Sequence, residues 1–225
     1  QRSLPFIELG SFLLLVTLGI LLLFAFFFIL LPLPFHRLRT KGRASTVFYF
    51  AGLGLGFLFV EIIFMQVFQL VWGTPLLAAG STIAGMLFFS GLGALLSRQF
   101  NPEGPFLPFL FAALCLLLIA SAFALLPLAR FIASVDPFWR IFLALVLLGL
   151  VSFPLGFFFP SGLRLLQARR PDHLPWAWGI NGSFSVISSP LALIACVFLG
   201  FPTALLLATA FYLTAALAFL RLRGH

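Results

Sequence analysis

The sequence predicts an all-α, polytopic transmembrane helix bundle of about seven spans, with the N-terminus outside and the C-terminus inside. Three observations predict it. Of 225 residues, 63% are hydrophobic and 8% are charged, where a soluble domain carries roughly 25% charged residues. The apolar runs are continuous and reach the roughly 20 residues that a spanning helix needs. They do not alternate as barrel strands do. The basic residues fall between the runs and crowd to one side.

Each span has its own evidence. Residues 11–33, SFLLLVTLGILLLFAFFFILLPL, form the first. This run exceeds the roughly 7–15 residue core of a signal peptide, and no small-x-small cleavage site follows it. A chain that begins with Gln1 fits a processed product or a piece of a longer protein. The second span covers 47–72, and the turn Gly73-Thr74-Pro75 separates it from a third at 76–97. The others are 107–128, 139–160, 176–200 and 202–221. Residues 1–225 read as a single transmembrane domain, because no connection is long enough to hold a soluble one.

Orientation follows from the loops. Arg37, Arg39, Lys41, Arg43, Arg98, Arg164, Arg169, Arg170, Arg221 and Arg223 fall on one side; Arg2, Arg130 and Arg140 fall on the other. The bias places the larger group, and the C-terminus, inside. Trp72, Trp139 and Trp176 stand at span ends, as interfacial anchors do. The net charge of +8 therefore reads as topology anchors and not as a nucleic-acid surface. Arg37-Leu38-Arg39-Thr40-Lys41-Gly42-Arg43 is the densest run, and contact with anionic lipid headgroups is its functional alternative.

Gly52, Gly54 and Gly56 lie inside a span, so they cannot form a phosphate loop between strand and helix. Gly52 and Gly56, spaced by four, suit close helix approach, and Gly91 and Gly93 offer a second small-residue patch. Glu61 stands within the same span. On a helix it shares a face with Gly54, Leu58, Met65 and Gln69, while Gln66 lies further round. That face is expected to point into the bundle, with the acid carrying its proton because desolvation disfavours the charged form. The acid is either a hydrogen-bonding structural group or a proton or cation site.

The sixth span opens on a second polar cluster. Asn181, Ser185 and Ser188 share one helical face. Gly179, Gly182 and Pro190 are expected to loosen this helix, and Pro154 with Pro160-Ser161-Gly162 to break the fifth. A loosened polar helix can bind a ligand or bond to its neighbours. Glu61, Gln69, Asn181, Ser185 and Ser188 are the candidate intramembrane site. Asn181 and Ser185 are the expected neighbours of Glu61.

Cys115 and Cys196 fall inside spans and read as small core residues. His36, His173 and His225 lie in loops or at the terminus. No catalytic triad, metal-ligand spacing or carboxylate pair is legible. No catalytic residue, metal ligand or cofactor is assigned.

FYFAGLGLGFLFVEIIFMQ, WGTP, FSGLG, FPLGFFFPSGLRLL and WAWGINGSFSV together resemble the membrane portion of bacterial multi-pass proteins related to spermidine synthases, a fused transporter-like and synthase-like family. The resemblance covers about residues 48–221 and rests on Glu61, Gln66, Trp176, Trp178, Asn181, Gly182 and Ser185. Thr74 departs from it, standing where the family carries a His between Gly and Pro. The family's soluble part binds an S-adenosylmethionine derivative on a glycine-rich loop, which this chain lacks, so the resemblance carries over no catalytic residue. It implies a multi-pass protein of the bacterial plasma (inner) membrane.

The leading functional expectation is a non-catalytic membrane module, an integral subunit or scaffold of a larger assembly, with the lipid bilayer and other membrane subunits as partners. The alternatives are a transporter-like module for a small cation such as a polyamine, and the membrane anchor of a synthase-like enzyme.

Overall fold

The computed structural model describes residues 5–25 and 42–224. Seven α-helices and no strand occur among the described residues: α1 Pro5–Ala25, α2 Arg43–Trp72, α3 Pro75–Ser97, α4 Phe106–Ser134, α5 Pro137–Arg169, α6 Leu174–Phe198 and α7 Gly200–Arg223. A 3-10 turn, Pro171–His173, leads into α6. Six helices, α2 to α7, are long and apolar enough to cross a membrane. In α1 the qualifying apolar stretch is shorter, Leu15–Phe24. The rest of the first expected span, together with Arg37, Arg39 and Lys41, lies outside the described residues.

The turns form where glycine permits them. Gly73 ends α2 at φ 69° and donates its N–H to the Gln69 carbonyl; Pro75 then starts α3 at a position that needs no donor. Gly200, at φ 82°, opens α7 just after α6 ends.

The expected breaks do not occur. α5 is one helix of 33 residues through Pro154 and Pro160, and α6 is continuous through Gly179, Gly182 and Pro190. A proline removes one backbone bond, and neighbouring helices can satisfy the freed groups. The carbonyls that Pro154 and Pro160 leave without a helix donor are those of Leu150 and Gly156; separately, the Tyr49 hydroxyl of α2 donates to the Phe158 carbonyl at 2.6 Å and ties α2 to α5.

α2 lies at the centre and packs on α3, α4, α5, α6 and α7. α6 runs parallel to it: Asn181 pairs with Phe50, Ser185 with Gly54 and Ser188 with Leu55. α7 runs antiparallel, with Phe211 and Ala215 against Gly52 and Tyr212 against Gly56. α3 and α5 run parallel, meeting at Gly85 with Leu148 and at Gly93 with Phe153. α1 packs on α6. The aromatic centre is tight: Phe111 stacks on Phe158 at 3.9 Å, and Tyr49 lies 5.5 Å from Phe219.

The glycines show how the helices approach. A Cβ on Gly52 would stand 2.7 Å from the Phe211 carbonyl oxygen, and one on Gly56 2.6 Å from the Tyr212 ring. A Cβ on Gly93 would collide with the Phe153 carbonyl. Gly91 differs from the expectation: nothing lies within 4 Å of its Cβ position. The helix turn that carries Gly93 inward points Gly91 outward.

Candidate functional site

Glu61 is half-buried on the least covered stripe of α2, with Leu58, Ile62, Met65, Gln66 and Gln69. This stripe is an edge of the helix, not the bundle interior that the pattern suggested. The carboxyl makes no hydrogen bond or ion pair with a described residue. Gln69 donates its amide to Gln66 Oε1 at 2.8 Å, so Gln66 joins the stripe. About 16 Å of helix separates Glu61 from the Trp72 end, so the acid lies well within the span.

The polar face of α6 is elsewhere. Asn181 Nδ2 donates to the Phe50 carbonyl at 3.2 Å, Ser185 Oγ to that of Gly54 at 3.4 Å and Ser188 Oγ to that of Leu55 at 2.7 Å. These three do share a face, and it is the face that grips α2. Glu61 is not their partner. Phe50 and Glu61 are separated by about 16 Å along α2, so the parallel register holds Asn181 turns away from the acid. Gly54 makes the grip possible: a Cβ there would stand 2.4 Å from the Asn181 carbonyl oxygen.

A cavity of about 100 Å³ lies beside Asn181 and Ser185, lined also by Leu53, Phe57, Leu155, Phe159 and Tyr212. It has room for about three waters by volume. Asn181, Ser185 and Tyr212 are the polar residues of its lining. Glu61 does not line it.

Sequence reasoning missed several anchoring residues. Tyr49 and Tyr212 are fully buried side chains. They are the only two tyrosines of the chain, and their position inside spans was the available signal. His173, expected in a loop, is buried, with its Nδ1 3.0 Å from Thr46 Oγ1. Arg164 donates to the carbonyls of Ser97 at 2.6 Å and Phe100 at 3.3 Å, closing the C-terminal end of α3. Arg169 pairs with Glu103 at 2.8 Å and donates to the Arg223 carbonyl at 2.6 Å. Arg223 reaches the Glu103 carbonyl. These arginines tie helix ends together at one end of the bundle, and their spacing in sequence gives no hint of it. Among the described residues, no three of His, Cys, Asp and Glu stand close enough to hold a metal ion.

Apolar helices of spanning length around one central helix, with the polar face of α6 bonded to that helix, define a multi-pass helical membrane protein. Comparisons with protein-family models, curated proteins and solved structures give no match.

Proposed function

We propose that this chain is a non-catalytic, membrane-embedded subunit that docks another membrane helix along the Glu61–Gln66–Gln69 stripe of α2. The single observation behind this reading is the state of Glu61. An acid at membrane depth is costly and is normally paired or turned to a polar interior. Here it stands half-covered beside two glutamines, with no partner among the described residues. A polar group from a second chain would complete the set, as interhelical hydrogen bonds do in bilayers. Membership of the synthase-like membrane family, placement in a bacterial plasma membrane and an inside C-terminus belong to the same proposal. Sequence motifs and the basic bias support them.

The small-cation transporter is the rival. It needs Glu61 and the α6 polar face in one cavity, and the cavity at Asn181 and Ser185 is lined without Glu61.

Photo-crosslinking tests the proposal. A crosslinking amino acid at Met65 should give one discrete protein adduct in the native membrane. The same probe at Phe123, 70% exposed on α4, should give lipid adducts only. Identical patterns at the two positions would overturn the reading.

A further inference from the structure

We propose that the groove between the N-terminal end of α2 and the C-terminal end of α7 binds the phosphate of an anionic lipid headgroup. The groove has a volume of about 230 Å³ and is lined by Ala44, Ser45, Phe48, Thr214, Leu217, Ala218 and Arg221. Its chemistry is polarised along its length. Arg221 stands at the chain-end mouth, and Thr214 lies about 10 Å deeper by helix rise. Between them the walls are Phe48, Leu217 and Ala218.

Three sets of donors belong to the residues that line this end of the groove. The first is the Arg221 guanidinium, which is exposed and makes no hydrogen bond or ion pair with a described residue. Arg164, Arg169 and Arg223 at the same end are all committed to carbonyls or to Glu103. The second is the Ser45 hydroxyl. Ser45 is only 9% exposed, lines the groove, and has no hydrogen-bond partner among the described residues. The third is the opening turn of α2. Its first helical bond is Thr46 N–H to the Gly42 carbonyl, so the preceding N–H groups lack intrahelical partners and carry the positive end of the helix dipole.

A phosphate oxygen is the acceptor that suits a guanidinium, a hydroxyl and free backbone N–H groups together. The apolar walls favour a phosphate carrying acyl chains over the free ion, since Phe48, 56% exposed, flanks the path from the mouth. Seven arginines crowd this end among the described residues: Arg43, Arg98, Arg164, Arg169, Arg170, Arg221 and Arg223, against Glu103 and Asp172. This surplus draws anionic lipid to the surface, and the groove then selects a position for it. The inference is independent of the docking stripe on α2.

The test is lipid-dependent thermal unfolding of the full chain in a mild non-ionic detergent. Added phosphatidylglycerol should raise the midpoint in a saturable way, and phosphatidylcholine should not. Arg221→Gln should keep the lipid-free midpoint and weaken the phosphatidylglycerol response about tenfold, the effect of losing one charge-assisted contact. Arg98→Gln removes another exposed arginine of the same end and should leave the response unchanged. Equal protection by phosphatidylcholine, or an unchanged response in Arg221→Gln, would overturn the proposal. Equal losses in Arg98→Gln and Arg221→Gln would replace the site with general charge attraction. Protection by inorganic phosphate at the same concentration would make the ligand a free ion and sink the lipid assignment.

Discussion

The Tyr49 hydroxyl donates to the Phe158 carbonyl at 2.6 Å, and its ring occupies the space that a side chain on residue 162 would need. One residue of α2 thereby ties to the α5 backbone and fills the gap left by Gly162. Tyr49→Phe keeps the ring and removes the donor. It should destabilise the bundle by about 0.5–1.5 kcal/mol, read from the unfolding midpoint in detergent. Gly162→Ala should cost more, because the Cβ would collide with the Tyr49 ring. Equal, negligible effects would mean that α5 does not depend on this contact.

The glycines divide into two groups that one pair of variants can separate. Gly52→Leu drives a side chain into the Phe211 carbonyl, while Gly91→Leu meets open space. Overpacking of this kind costs about 1–3 kcal/mol. The first variant should lower the unfolding midpoint and the second should leave it within error. A destabilised Gly91→Leu protein would show that this face is covered in the intact protein.

The grip of α6 on α2 is a set of separate hydrogen bonds to backbone carbonyls. Asn181→Leu and Ser188→Ala should each cost roughly 0.6–1.7 kcal/mol, the range for single interhelical polar contacts in membranes. Gly54→Leu should cost more than either, since it pushes the Asn181 backbone itself. A Gly54→Leu protein as stable as the parent would contradict the parallel packing of the two helices.

Glu61 separates a docking group from an internal strut. Glu61→Gln keeps a polar side chain of similar shape, so partner capture in mild detergent should survive. Glu61→Leu should abolish capture and leave the chain's own midpoint nearly unchanged, because the carboxyl holds no described residue. A large stability loss in Glu61→Leu with capture intact would assign the acid to the chain's own fold.

Topology has a direct check. Reporter fusions after Lys41 and after His225 should both read cytoplasmic, and one at Gln1 external. An external reading after His225 would reverse the orientation that the basic bias assigns.

Composition and hydropathy alone set the class of this protein and the turn between α2 and α3, while α4 and α5 run on past the expected ends at 128 and 160 to Ser134 and Arg169. Hydropathy is a local property, and an unpaired backbone in lipid must close its bonds within one helix. The apolar run and the Gly73-Thr74-Pro75 turn were therefore enough to bound α2. The periodicity also placed Asn181, Ser185 and Ser188 on one face, as found. What that face meets depends on how the helices are placed against one another. Its hydroxyls and amide reach α2 carbonyls, and every residue offers a carbonyl whatever its side chain, so no pattern could mark Phe50, Gly54 and Leu55 as acceptors. The same reason hid the tie between α2 and α5, where a hydroxyl distant in sequence reaches the Phe158 carbonyl. Glu61 shows the limit from the other side. Its burial depends on how far the neighbouring helices extend around α2, a property of helix placement that one helix's periodicity does not contain.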